Sequence, residues 1–341
     1  MVMYQQRPVP FADEPPVVPT GDTGRRASQL RAAPGVHHLA RGLWVLREQP
    51  LTGVERAVLL QKHLCGPDSG LLVSGLHAMD LLRLPVGGTD AWVQDLLSPG
   101  NRARPRGSRG STARELETAR REVDLLWTTR RAQSQQEGIR IAKSHGLPGL
   151  EGPWGCRIAH PVETLARLST VLSPWRITAC LDALLSTRFI VPGTSRPVVF
   201  TRAHLEESMD RLPPAARGVI RLRRAWRDAR SPCWSAAETL TRLIVARHGL
   251  LEPVLNHRVT VAGRTFLLDL AWPGKRMALE YNGAVHAQEV SQYRDEMYRL
   301  SLLRDAGWDV SVLTWDDLRS PVRREAWLTR VRRGLGQPVA L

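Results

Sequence analysis

Apolar runs, over 266–272 (broken only by Asp269) and over 277–279, flank the turn residues Pro273-Gly274-Lys275 within the stretch from Thr265 to Tyr281. That pattern predicts a β-hairpin with its turn at Gly274–Lys275. In this register Trp272 faces Met277, Leu270 faces Leu279 and Leu268 faces Tyr281, which makes one apolar face. On the other face Ala271 meets Ala278 and Asp269 meets Glu280, with Asn282 two residues further along. Upstream, a helix is predicted over 236–248, with Leu240, Leu243, Ile244 and Arg247 on one side and Gly249 at its end. A strand over 254–261 follows and turns at Ala262-Gly263. Downstream, a helix over 291–306 is expected to pack Tyr293, Met297 and Leu300 inward, leaving Arg294, Asp295 and Arg299 off that stripe. Trp308, Val310 and Val312 alternate as a strand, and a basic helix starts near Pro321. The expected order is helix, three strands, helix, strand, helix over 233–341.

The rest of the chain is patterned differently. Residues 1–30 are rich in Pro, Asp, Glu and Gln without periodicity and are expected to be a disordered tail, with order beginning near Val36. Residues 31–95 predict a small helix-rich unit. It has a short strand around 38–46, a helix over 53–64, and a second helix that Ser74 caps and Pro85 ends, with Leu76, Met79, Leu81 and Leu82 inward. Residues 96–232 predict a mostly helical region. Its last helices run over 204–212 and 217–230, and a boundary is expected at Ser231-Pro232.

Charge adds a partner to this picture. The net charge is +15 and the pI is about 11.0. Lys62, Lys143 and Lys275 are the only lysines, so the charge is nearly all arginine. Such a balance favours a polyanion, and DNA is the expected partner. From Cys233 onward there are 15 Lys/Arg against 12 Asp/Glu, so most of the excess lies in the N-terminal two-thirds. The loop 98–112 carries Arg102, Arg104, Arg106 and Arg109 and no acid. The helix over 217–230 places Arg221 and Arg224 with other arginines opposite Val219, Leu222 and Trp226. Both stretches can track a phosphate backbone, or be a solubilising insertion and a solvated face. Cys65, Cys156, Cys180 and Cys233 form no CxxC pair, which points to free thiols in a reducing compartment. No run of about 18 apolar residues occurs, so a cytoplasmic protein with no membrane partner is expected.

The hairpin carries the candidate chemistry. Carboxylates directly opposite each other in a ladder repel. Either a hard cation sits between Asp269 and Glu280, as Mg²⁺ would, or both are ordinary surface charges. Glu238 also admits two roles. Ser235-x-x-Glu238 has the form of a capping box, and the same carboxylate can serve an active site.

The ordered set Glu238, Asp269, Glu280-x-Asn282, Gly283, His286, then Arg294-Asp295 and Gly307-Trp308-x-Val310 resembles the very-short-patch-repair-like branch of the PD-(D/E)XK nucleases, over about the last third of the chain. The third acidic position of that pattern is Asn282 here. The resemblance implies a restriction-endonuclease-like αβββαβα domain hydrolysing phosphodiester bonds of DNA, in repair or defence, with Mg²⁺ or Mn²⁺ as cofactor. It implies Asp269 and Glu280 as metal ligands, Glu238 holding a water or second ion, and His286 moving a proton. Arg294 and Arg299 would clamp the scissile phosphate, or pair with Asp295 and Glu296. Asn282 offers a carbonyl oxygen but neither charge nor a base. The phrases Arg41-Gly42-Leu43-Trp44 and Leu72-Val73-Ser74-Gly75-Leu76-His77-Ala78 resemble the N-terminal part of AbiEi-type antitoxin proteins, as do 161–168 and 177–185 its second half. That implies a winged-helix, DNA-binding N-terminal region within an overall α/β chain. It also raises the alternative of a non-catalytic DNA-binding regulator with a degenerate nuclease domain. RNA as substrate stands beside DNA, because nothing in the sequence reads a 2′-hydroxyl.

Overall fold

The computed structural model of the protein describes residues 11–338 other than 25, 66–69, 88–90, 98–112, 129–135, 187, 195–196 and 284–289. The chain is mixed α/β. Among the described residues no helix is long and apolar enough to cross a membrane.

Strand β1 (Val17–Pro19), helix α1 (Ala27–Ala32), and strands β2 (Val36–Ala40) and β3 (Leu43–Leu46) open the chain, with the sheet order β1-β3-β2. The expected disordered tail is therefore corrected from residue 11 onward. Val17 pairs with Val45, and Leu30 is 2% exposed. The Trp154 indole N–H donates to the Ala12 carbonyl at 2.7 Å. The prolines that suggested disorder suit an edge strand, where outward N–H groups are not needed.

Next come α2 (Gly53–His63), β4 (Leu71–Val73), α3 (Gly75–Leu81), α4 (Ala91–Leu97), α5 (Ala113–Arg121), β5 (Val123–Trp127), β6 (Ile139–Lys143), β7 (Leu150–Glu151) and β8 (Arg157–Ile158). They are followed by α6 (Pro161–Leu168), α7 (Pro174–Ser186), β9 (Arg188–Ile190), β10 (Pro197–Val199), α8 (Arg202–Asp210) and α9 (Val219–Arg227). Thr52 caps α2, with Glu55 returning to the Thr52 amide. Leu76, Met79, Leu81 and Leu82 are buried as expected.

Among its described residues region 96–232 has most of its regular structure in helices, as expected, but it is not helical alone. It supplies four strands of a five-stranded sheet ordered β6-β5-β4-β8-β7, and Leu126 of β5 pairs with Leu72 of β4. One continuous core runs from Leu39 to Ala229, so nothing divides it near residue 95. The run Val123-Asp-Leu-Leu-Trp127 is short and nearly all apolar. Periodicity cannot tell such a run from a buried helical turn.

The C-terminal part holds α10 (Ala236–Arg247), β11 (Val254–Val261), β12 (Arg264–Trp272), β13 (Met277–Tyr281), α11 (Val290–Asp305), β14 (Asp309–Leu313), α12 (Trp315–Arg319) and α13 (Pro321–Leu335). This is the expected order with one short helix added before the last. The sheet order is β11-β12-β13-β14, with β14 parallel to β13 and the other pairs antiparallel. One core cluster joins Leu240, Ile244, Leu270, Leu279 and Leu328 with Val93 of α4 and Trp175 and Ala179 of α7. A second joins Phe266, Leu268, Ala271, Ala278, Leu303 and Trp308. Helix α10, which lies against β12 and β13, thus packs in turn on α7 and α4 from far earlier in the chain.

Candidate active site

The hairpin has the expected register, with Trp272 opposite Met277, Ala271 opposite Ala278 and Leu270 opposite Leu279. The ladder stops there. The expected contact of Leu268 with Tyr281 is not made. Leu268 instead joins Phe266 and Ala271, whereas Leu270 and Trp272 belong to the other core cluster. The faces of β12 exchange at Asp269.

The neighbouring strand shows why. Pairing with β11 passes from Leu255–Leu270 to His257–Leu268 and omits Asn256, which has φ 47°. Asn tolerates this left-handed conformation better than most residues. Asp269 therefore lies at a lapse in both ladders. Its carboxylate replaces a backbone acceptor and takes the Tyr281 N–H at 2.9 Å.

Glu238 lies in the first turn of α10. The Ser235 hydroxyl accepts the Glu238 N–H at 3.1 Å, so Ser235 is the N-cap. The reciprocal half of the expected capping box is absent. Glu238 Oε2 accepts instead from the Trp234 N–H at 2.9 Å and from Asn256 Nδ2 at 3.2 Å. The carboxylate reaches past the cap toward the sheet because Asn256 offers a donor there.

Glu280 is 7% exposed, and both its oxygens are held by Arg299, at 2.6 and 2.5 Å. Arg299 also donates to Glu296 at 3.0 Å and to the Leu267 carbonyl at 3.1 Å. Its place corrects the expected face of α11. Met297 is 42% exposed, while Arg299, Leu302 and Leu303 turn toward the sheet. A buried carboxylate beneath the helix makes a guanidinium the favoured inward residue.

Burial and the neighbouring Glu238 charge push the Asp269 carboxyl up to about 7. Glu238 is itself raised, chiefly by burial. Burial also pushes Glu280 up, against the pull of Arg299. Arg299 acts on Asp269 and Glu280 and is shared with Glu296, while Asp269 and Glu238 repel, an arrangement short of positive charge.

The donor set can be weighed against a divalent cation. Among the described residues no group of three or more His, Cys, Asp or Glu is arranged to hold a metal ion. The donors at hand are still hard oxygens, which suit Mg²⁺. Asn256 Oδ1 is buried beside Glu238 with no hydrogen-bond partner. Asp269 and Glu238, with this orphaned amide oxygen, fit a cation chemically. Glu280 joins them only by releasing Arg299.

Asn282 is half-buried, and its backbone N–H donates to Leu313 of β14 at 2.8 Å. Arg294 is exposed. Arg221 and Arg224 are exposed on α9, which packs against α6 and α7, and Arg221 donates to the Ser169 carbonyl at 3.3 Å. His286, Arg102, Arg104, Arg106 and Arg109 lie outside the described residues.

Sequence reasoning missed Asn256 and the Asp182–Arg242 pair. The signal for Asn256 is a strand-averse residue inside an apolar strand. Asp182 of α7, 1% exposed, accepts from Arg242 and Thr239 of α10, each at 2.8 Å, and from the Arg230 amide at 2.6 Å. The signal for Asp182 is one acid inside the apolar run Ile177-Thr-Ala-Cys-Leu-Asp-Ala-Leu-Leu185. It anchors the helix that carries Glu238.

Two uncharacterized proteins of Mycobacterium tuberculosis, from strains CDC 1551 and H37Rv, are similar to this chain. Each is 29% identical over 173 residues, which is 50% of this chain and 59% of the relative. The match thus spans less than two-thirds of those relatives' length. No family model matches the chain. No solved structure matches it.

Proposed function

We propose that this chain is a metal-dependent endonuclease hydrolysing phosphodiester bonds of DNA, with its site at Asp269, Glu280 and Glu238. The observation that carries the proposal is Asp269, placed at a lapse in two ladders, half-buried, and raised to about 7 by burial and by Glu238. A carboxylate pair so short of positive charge favours a divalent cation. The αβββαβ order of the C-terminal part and its resemblance to the very-short-patch-repair-like nucleases point the same way, as does the +15 net charge. In this proposal the N-terminal hairpin and helices belong to a winged-helix-like region that engages DNA.

Asp269 and Glu280 would hold Mg²⁺ or Mn²⁺, with Glu238 and the Asn256 amide oxygen beside them. The bound ion would supply the charge neutralisation and the activated water that phosphodiester hydrolysis requires. The chain's own part is positional. The Tyr281 amide orients Asp269, Asn256 and the Trp234 amide orient Glu238, and Arg299 favours the ionised form of Glu280 against the effect of burial. On releasing Glu280, Arg299 becomes a free fork for a phosphate.

A second reading, a non-catalytic DNA-binding regulator with a retired nuclease domain, is favoured by one observation. Arg299 already satisfies both Glu280 oxygens, and Asn282 stands where the resemblance expects an acid.

The test is cleavage of single-stranded, duplex, nicked and mismatched DNA with Mg²⁺ or Mn²⁺, beside identically prepared Glu280→Gln and Asp269→Asn. Cleavage by the unmodified protein alone supports the nuclease. Salt-sensitive DNA binding by all three without cleavage supports the regulator.

A further inference from the structure

We propose that the cleft between α1, the β2–β3 hairpin, α2 and the start of β6 binds a phosphate-bearing ligand of nucleotide size. The cleft has a volume of about 580 Å³, within the ~300–1,000 Å³ of small-ligand sites. It shares no element with the carboxylate group and does not depend on it.

Its charge is one-sided. Arg31, Arg41, Arg56 and His38 line it, and Glu137 is the only carboxylate among the lining residues. Among the described residues none of the three guanidinium groups has a hydrogen-bond or ion-pair partner, whereas Arg47 nearby is paired with Glu55 and Arg140 with Asp124. Arg56 is half-buried, and burial disfavours its charge. His38 is lowered by burial and then by the charges of Arg31 and Arg56. A partly desolvated guanidinium, Arg56, beside the exposed like charges of Arg31 and Arg41 costs free energy that an anion offsets. Arginine's planar fork suits phosphate oxygens, two N–H groups at a time.

The walls are built rather than incidental. The Arg41 N–H donates to Gln136 Oε1 at 2.7 Å, tying the hairpin turn to the approach of β6 across 95 residues of sequence. The Trp44 indole N–H is committed to the Thr20 hydroxyl at 2.9 Å, and the His38 ring stands edge-on to that indole at 5.0 Å. Leu39, Ala40 and Ile139 are buried and form an apolar floor beside the charged rim. Phosphate is the shared chemistry, whether on a free nucleotide or on one nucleotide of a chain.

The full-length protein would be titrated at low salt in EDTA, which keeps the carboxylate site out of the result. The probes are inorganic phosphate, adenosine diphosphate and a twelve-residue oligothymidylate. The variants are Arg56→Gln and the exposed double variant Arg31→Gln/Arg41→Gln, with the exposed Arg333→Gln as control and thermal midpoints checked for all. The proposal expects adenosine diphosphate or oligothymidylate binding that weakens roughly tenfold or more in the cleft variants and not in the control. Adenosine diphosphate as the tighter probe assigns a free nucleotide, and oligothymidylate as the tighter probe assigns a chain. Should Arg56→Gln fail to fold, the double variant carries the same comparison. No binding of any probe, or equal binding by the original and the double variant, would overturn the proposal and leave the nuclease reading untouched.

Discussion

Arg299 holds both carboxylate oxygens of Glu280, from a helix over the sheet to a strand inside it, with side-chain exposures of 20% and 9%. A buried carboxylate gains from such a pair only while the pair is intact, because either partner alone is left charged and desolvated. Arg299→Ala is therefore expected to destabilise the protein by about 3 kcal/mol, the lower end for a broken buried pair. Glu280→Gln, still an acceptor for Arg299, is expected to lose less. Urea denaturation of both variants checks the order, and equal losses would contradict it.

Asp269 sets a pH dependence. Its folded-state carboxyl is raised from 3.8 to about 7, so the folded protein binds that proton more tightly than the unfolded chain does. The cost of ionising it is absent below about pH 4, grows as pH rises, and is complete above about pH 7. Asp269→Asn removes that cost while its amide oxygen still accepts the Tyr281 N–H. The metal-free variant is expected to be more stable than the parent at pH 8, by on the order of 1 kcal/mol after discounting for solvent screening. The gain should shrink toward pH 5. Thermal midpoints in EDTA at both pH values measure it, and a variant less stable at pH 8 would refute the assignment.

The same proton links to cation binding. An ion at Asp269 favours the ionised carboxyl and displaces the proton, so Mn²⁺ affinity is expected to rise with pH up to about 7 and then level off. Calorimetric titration in two buffers of different ionisation enthalpy would register the released proton. Binding that does not change between pH 5.5 and 8 would place the ion elsewhere.

Asp182 and Arg242, 1% and 3% exposed, tie α7 to α10. Asp182→Ala is expected to cost about 3–5 kcal/mol by stranding a buried guanidinium. Because α7 also lends Trp175 and Ala179 to the C-terminal core, the loss should appear in one transition shared by both parts of the chain. Two separated transitions in the parent protein would contradict this.

Among the described glycines Gly218 has the tightest backbone approach. It has φ 87°, and an added Cβ would stand 1.8 Å from the Ala166 carbonyl oxygen, where backbone meets backbone. Gly218→Ala is expected to abolish soluble expression or to cost more than about 4 kcal/mol, the range reserved for backbone clashes and strain. A melting curve like the parent's would show that α6 and α9 can part without cost.

The C-terminal elements were legible because their signals are local. Alternation, the Pro273-Gly274-Lys275 turn and the Gly249 and Gly307 stops give the element order and the hairpin register without reference to the rest of the chain. The same alternation put Asp269 and Glu280 on neighbouring strands. Local signals failed where an element is short and apolar, as at β5, or where prolines mask an edge strand, as at β1.

Tertiary structure decided the rest. Whether Glu238 caps its own helix or faces the sheet depends on Asn256, 18 residues away, and on a lapse in pairing that alternation cannot announce. Arg299 looked like a surface residue by helical period and is an inward one, because the group that satisfies it lies on another strand. The raised carboxyl of Asp269 follows from burial and a second charge, neither of which is a property of its neighbours in sequence. Residue type and spacing set which groups can meet. Desolvation and distance, which exist only once the chain has folded, set what they do to one another.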